Sequence, residues 1–292
     1  MNDRQTIVEM LRYRRPTGSR TERTFIGEYL RPLGLSQDKA GNLYRRIGDS
    51  PVLWSCHTDT VHSKGGRQSV RLIDGIATTT AAGSNCLGAD CTAGVWLMAE
   101  MIRANRPGLY VFHRAEEIGG IGSSFIADKT PDLLAQSSVA IAFDRRGTGS
   151  IITHQAGGRC CSDAFAYSLG NALGMGHAPD AGGTFTDTAN YMHLIRECSN
   201  LSVGYHNEHK AKESLDTGYL IDLRDALLSL DGRDLIVERE AGSEFDQAPR
   251  GGSMYRLVQD HPEEIADFLE EYGFTREELV DLILKRGGVV RR

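Results

Sequence analysis

Val52-Leu53-Trp54-Ser55-Cys56-His57-Thr58-Asp59-Thr60 is the stretch whose reading decides the fold. From Val52 to Cys56 it is apolar except for the small Ser55, as suits a strand covered on both faces of a buried parallel sheet. The run stops at His57 and Asp59, two positions apart. On an extended segment such positions point to the same side. If His57 binds a metal, Asp59 stands where it can hold the ring's other nitrogen and fix its tautomer. Taken alone, the segment reads better as a strand end that merely carries two polar residues.

Working outward, the same shape recurs. Leu109-Tyr110-Val111-Phe112 runs into His113-Arg114-Ala115-Glu116-Glu117-Ile118-Gly119-Gly120. Val139-Ala140-Ile141-Ala142-Phe143 ends at Asp144-Arg145-Arg146-Gly147, and Asn200-Leu201-Ser202-Val203 ends in Gly204-Tyr205-His206-Asn207-Glu208-His209. A glycine-bearing loop, Gly83 to Gly88, leads to Asp90 just before a buried helix over Val95 to Ile102. That position commonly holds an aspartate simply as a cap. Upstream, Arg4 to Tyr13 places Ile7, Met10 and Leu11 on one helical face, and a second amphipathic segment from Glu22 carries Phe25, Ile26, Tyr29, Leu30 and Leu33. Gly41-Asn42 is a turn into a strand, Asp74-Gly75 a hairpin signal, Ser123 to Ala127 a helix and Ile151 to Thr153 a strand. Short apolar strands alternating with helices make an α/β sheet, in which ligands gather beyond the strand ends.

The chain has 292 residues, 40% of them apolar and 25% charged, which is ordinary for a soluble globular protein. Its net charge of -6 argues against nucleic acid as a partner. Met1 to Arg15 is polar and arginine-rich with no apolar core, unlike a signal peptide. No apolar run approaches the roughly 20 residues that span a membrane. Cys56, Cys86, Cys91, Cys160, Cys161 and Cys198 have no metal-finger spacing and read as reduced thiols of a cytoplasmic protein, Cys160-Cys161 as small strand residues. Residues 241–292 form a linker and two short helix candidates, about Pro262 to Tyr272 and Glu277 to Lys285, after a domain over residues 1–240. Such a tail packs on its own domain or on a neighbouring subunit, which puts a homo-oligomer among the expected partners; recruitment is the alternative.

Five sites therefore share one pattern: His57 with Asp59, Asp90, Glu116-Glu117, Asp144 and a late histidine, each where a strand or loop ends. Singly, Glu116-Glu117 reads as a solvated acidic pair and Asp144 as a turn residue. Together they suit a pair of divalent ions bridged by one carboxylate. Of two adjacent glutamates, one then binds metal and the other stays free as a proton acceptor for a water.

Taken in order, HTDTV, LGADCTAG, EEIGGIGSS, FDRRG and NEHKAKE resemble the co-catalytic di-zinc metallopeptidase superfamily, over roughly residues 5–230. That group includes zinc aminopeptidases, peptidase T and N-acyl amino acid deacylases. The resemblance implies a three-layer α/β fold with a central mixed, mostly parallel sheet flanked by helices. It implies that His57 and Asp144 bind one zinc, that Asp90 bridges both, and that Glu117 and a late histidine bind the second. Manganese or cobalt are the alternative metals. Glu116 is implied as the general base and Asp59 as the residue orienting His57. In relatives the late histidine is followed four residues on by an acidic residue; His209 with Glu213 fits, and His206, followed there by Lys210, is the alternative. Cys91 departs from the pattern, since relatives carry Asp or Asn there, often after a cis peptide bond. The stretch from Asp144 to His209 is too short for the lid domain of deacylases and carboxypeptidases, which favours a compact aminopeptidase-like form.

The expected activity is hydrolysis of an amide bond in small peptides, with removal of acyl groups from N-acyl amino acids as the alternative and a non-catalytic scaffold as the third reading. Gly182 to Thr188 resembles a loop that lies near substrate in relatives and reads equally as a capped helix start, so Asp187 is a candidate substrate contact. Arg145 is another, for a substrate carboxylate, although a surface ion pair accounts for it more simply. His62, His113, His154, His177, His193 and His261 have no motif support.

Overall fold

The apolar runs become strands at the centre of an eight-stranded sheet in a computed structural model, which describes residues 2–80 and 83–243 together with positions 266, 269 and 275. The strands are β1 (Ser36–Gln37), β2 (Leu43–Ile47), β3 (Val52–His57), β4 (Gly108–His113), β5 (Val139–Arg145), β6 (Ser150–Ile152), β7 (Ala178–Asp180) and β8 (Glu197–Ser202). Their spatial order is β7-β6-β8-β5-β3-β4-β2-β1. The four central strands, β8, β5, β3 and β4, are mutually parallel, so their C-terminal ends share one rim. Antiparallel β2 and β1 close one edge, and β6 joins β8 antiparallel on the other.

All six residues of β3 and all six of β4 are buried, because helices cover both faces. On one face lie α1 (Asp3–Leu11), α3 (Ala89–Arg103), α5 (Asp163–Leu173) and α6 (Thr217–Ser229). On the other lie α4 (Ile121–Lys129) and a 3-10 turn, Asp187–Tyr191. The alternation of strand side chains divides the core accordingly. Val52, Trp54 and Cys56 pack in the cluster under α3, whereas Leu53 packs with Leu109, Val111 and Ala140 under α4. His57 and His113 continue that second register to the rim.

The close approach of α3 to the sheet depends on Gly94. A β-carbon there would sit 2.4 Å from the Phe143 carbonyl oxygen, closer than any real contact, so only glycine lets this helix lie against β5.

A smaller four-stranded sheet pairs the hairpin Val70–Ile73 and Ile76–Thr79 with Ser214–Asp216 and Tyr205–His206. The hairpin turns at Asp74 and Gly75, both at positive φ, as the sequence signal requires.

Several expectations are refined. The segment from Glu22 is a short helix, α2 (Arg20–Phe25), that loosens into a π turn and tightens into a 3-10 turn before Gly34. Cys160 and Cys161 are buried beside a bend and belong to no strand. The helices α5 and α6 have no counterpart in the sequence reading. The chain divides into two compact units, Met1–Asp246 and Gln247–Arg292. The two C-terminal helix candidates lie outside the described residues, apart from Ala266 and Leu269, which are helical. Among the described residues no helix is long and apolar enough to cross a membrane.

Candidate metal centre

His57 ends β3 and Asp144 lies in the last turn of β5, the adjacent parallel strand, so the rim brings them together without any loop rearrangement. Asp90 enters from above. Gly88, at φ +74, turns the chain into α3, and the Asp90–Cys91 peptide bond is cis, as the resemblance implies. His57 Nε2 then lies 3.0 Å from Asp90 Oδ1 and 3.2 Å from Asp144 Oδ1.

The second oxygen of Asp90 faces the other way. His209 Nε2 lies 3.1 Å from Asp90 Oδ2 and 3.3 Å from Glu117 Oε2. Two donor groups therefore share Asp90: His57, Asp90, Asp144 and Cys91, whose thiol donates to the Phe143 carbonyl at 3.1 Å, and Asp90, Glu117 and His209. Bonds of 2.0–2.1 Å around a tetrahedral zinc set neighbouring donors about 3.3 Å apart, and the contacts of 3.0–3.3 Å have that spacing. Glu117 Oε1 is buried with no hydrogen-bond partner, a cost of about 1–3 kcal/mol that a cation would remove. Nitrogen and oxygen donors of this kind suit zinc, manganese or cobalt. His206 is exposed on its short strand and belongs to neither group.

Glu116 belongs to neither group. Its Oε2 is 4.0 Å from His57 Nε2, beyond hydrogen-bonding range. It lines the open cavity together with Asp90, Asp144 and His209. The backbone of Glu116 is held by Asp59. Asp59 Oδ1 accepts the Glu116 N–H at 3.3 Å and lies 3.5 Å from His57 Nδ1, while Thr17 donates to Oδ2 at 2.5 Å. The closer partner of the His57 ring is the Asp59 carbonyl oxygen, at 3.1 Å. Asp59 thus ties the histidine to the glutamate turn.

Glu213 supplies the other tie. It is buried and accepts the backbone N–H groups of Leu87 at 2.8 Å, Gly88 at 2.9 Å and Asp90 at 3.1 Å. The acidic residue four positions after His209 therefore anchors the loop that carries Asp90, a role that the spacing alone does not reveal. Arg15, fully buried, joins the segment that follows His57 to the first turn of α3, donating to the Thr58 carbonyl at 2.8 Å and to Thr92 Oγ1 at 2.9 Å.

Several carboxylates compete for charge in this volume. Burial, with Asp144, Asp187 and Asp90 nearby, pushes Glu116 up to about 10. Burial and Asp90 push Asp144 up to about 7. Hydrogen bonds to Asp90 and Glu117 raise His209 to about 11. Burial opposes ionisation of Asp90, but the bonds from His209 and His57 hold it below the usual carboxylate range. Such a surplus of buried anionic groups is relieved by positive charge, and divalent ions at the two donor groups would supply it.

Of the two candidate substrate contacts, Arg145 lines the cavity and pairs with Asp180 at 3.3 Å. Asp187 lies deeper. It starts the 3-10 turn and is buried, its Oδ2 3.2 Å from His113 Nδ1. His113, which carried no motif support, is wholly buried; its Nε2 lies 2.7 Å from the Tyr191 hydroxyl. Neither Thr186 nor Asp187 caps the turn through its side chain; Thr186 instead donates to Asp144 Oδ2 at 2.7 Å.

The sequence matches no protein-family model and no curated protein. Among solved structures it is similar to aminopeptidase PepT from Bacillus cereus, with a TM-score of 0.64 and 16% identity over 80% of this chain and 99% of that one. A tripeptidase from Staphylococcus aureus gives a TM-score of 0.66 at 16% identity, over 80% and 99% of the two chains. The TET1 peptidase of Pyrococcus horikoshii, which can assemble into a tetrahedron or an octahedral shell, gives 0.59 at 15% identity over 79% and 99%. At this level of identity the similarity establishes the fold. The chain has the α/β fold of these peptidases, with the mixed, mostly parallel sheet implied by its motifs.

Proposed function

We propose that this chain is a metal-dependent hydrolase that cleaves the amide bond of small peptides, acting as an aminopeptidase. The observation that carries the reading is Asp90, whose two oxygens face two separate donor groups while Glu116 stands on the cavity wall outside both. His57, Asp90 and Asp144 would hold one ion and Asp90, Glu117 and His209 the other, zinc first, with manganese or cobalt as alternatives. When bound, such a pair supplies Lewis-acid polarisation of the scissile carbonyl and lowers the pKa of water.

The chain's own residues do the rest. Glu116 accepts the proton of the attacking water at its carboxylate and returns it to the leaving amine. Its ionisation as a base depends on positive charge in the cluster, since burial and its anionic neighbours otherwise hold the proton on it. Asp59 orients both His57 and the turn that presents Glu116. Arg145 on the cavity wall is offered to a substrate carboxylate, whereas Asp187 is buried beside His113 and is not among the residues that line the cavity. The six free, buried cysteines suit a reducing, cytoplasmic setting, and assembly into a homo-oligomer is part of the proposal.

The deciding experiment offers zinc-loaded protein two substrate sets, aminoacyl amides with a free amine and N-acyl amino acids. Hydrolysis of the amides is expected. Cleavage of the N-acyl compounds alone would move the assignment to an amidohydrolase, and inertness towards both with every metal would leave a binding scaffold. A further outcome concerns the second donor group: His209→Ala should reduce bound zinc from about two ions per chain to about one, and His206→Ala should leave it unchanged. The reverse result, read by elemental analysis, would transfer the ligand role to His206.

A further inference from the structure

Three exposed apolar side chains belong to two touching segments: Phe185, 38% exposed, lines the polar cavity and rests on Gly120, and Ile118 and Ile121, 59% and 52% exposed, lie on either side of Gly119-Gly120 in the chain. Single exposed apolar residues need no explanation, whereas a cluster beside a site marks a surface that something covers.

Phe185 is the member inside the cavity wall. Its position is tightly determined. A β-carbon on Gly120 would lie 2.7 Å from Phe185 Cζ, so the ring rests directly on that glycine. The Gly120 N–H in turn donates to the Glu116 carbonyl at 3.0 Å. On the other side the next residue, Thr186, donates to Asp144. Phe185 and Thr186 together thus link the turn that carries Glu116 to the strand end that carries Asp144.

The segment that holds the ring is itself fastened. The Ala156 N–H donates to the Thr184 carbonyl at 2.7 Å, and the Asn190 amide donates to Ser123 Oγ at 2.8 Å. Gly183 packs so closely on the His154 carbonyl that a β-carbon would sit 2.2 Å from it. Elsewhere the wall is mostly polar or charged, through Arg145, Arg146, Gln155, Asn200 and Glu208; its other apolar members, Ile152 and Tyr205, are buried and leave Phe185 as the exposed one. A pocket with one apolar plate among convergent polar groups sorts ligands by the apolar part they lay on that plate.

We infer that Phe185, resting on the turn that carries Ile118 and Ile121, is the specificity plate of the site and receives an apolar side chain on the substrate's amino-terminal residue. The inference rests on the aminopeptidase reading above. It predicts a preference for leucine and phenylalanine over alanine and glycine at that residue, since each buried methylene discriminates by about 10-fold or more.

The test measures kcat/KM for glycine, alanine, leucine and phenylalanine amides with zinc-loaded wild type, Phe185→Ala and Ile118→Ser. The wild type should favour leucine amide over alanine amide by at least about 10-fold, and Phe185→Ala should bring that ratio close to one, with Ile118→Ser between. The ratio is read within each variant, so a general loss of activity does not imitate the effect. Sedimentation of all three proteins is run alongside. A wild type that shows no preference, or variants that keep the wild-type ratio, would overturn the inference alone. An unchanged ratio with a smaller assembly in Phe185→Ala would assign the patch to contacts between copies of this chain. A wild type unable to cleave any aminoacyl amide would overturn the aminopeptidase reading, and this inference with it.

Discussion

Glu116→Gln should lower kcat by about 10²–10⁴-fold while both metal ions stay bound. The substitution keeps the shape and volume of the side chain and removes only its capacity to take a proton. Glu116 belongs to neither donor group, and its nearest oxygen is 4.0 Å from His57 Nε2. Its backbone N–H bond to Asp59 is unaffected, so the turn keeps its place. The separation of the two readouts is the point of the experiment. Elemental analysis should return the wild-type metal content, and the acidic limb of the kcat/KM profile, where a carboxylate base is lost to protonation, should disappear. Near-wild-type turnover in this variant would take the base away from Glu116.

Asp90→Ala should have the opposite signature, loss of metal from both sites at once. Asp90 is the one side chain that both donor groups share, with Oδ1 towards His57 and Oδ2 towards His209. Changing residues that merely orient a metal ligand costs about 10–100-fold in affinity, so deleting a shared ligand should exceed about 100-fold at each site. Competition against a calibrated chelator measures this directly. One ion retained at wild-type affinity would show that the two groups are independent and that Asp90 is no bridge. The comparison with His209→Ala, which should cost one ion only, makes the two results interpretable together.

The core of the fold was legible because its signal is local. Val52–Cys56, Leu109–Phe112 and Val139–Phe143 are apolar runs that stop at a functional residue, and each is a central strand. The donor residues were legible for the same reason, since each follows its own strand or loop. The helix α5 was not, although Ser162 caps it; Gly170 interrupts its interior and is tolerated only because the helix packs tightly on the His177 carbonyl. The helix α6 carries a cap at Asp216 and buries Leu220, Leu223 and Leu227, yet no motif drew the reading there. Least legible were the pairings between distant positions: His113 with Asp187, Glu213 with the loop before Asp90, and Phe185 on Gly120. Nothing in the local sequence of either partner announces the other.

The anchoring of Asp90 by Glu213 also bears on the order in which the molecule is built. The Glu213 contact with the Leu87 N–H closes 126 residues of chain, and contacts of such sequence separation form after the local ones, because the entropy of closing the loop must be met first. Until the segment carrying Glu213 arrives, the three N–H groups of the Asp90 turn have only water to bond. The shared carboxylate is therefore fixed in place by a residue 123 positions further along the chain, and a chain ending before Glu213 would carry the Asp90 turn without its anchor.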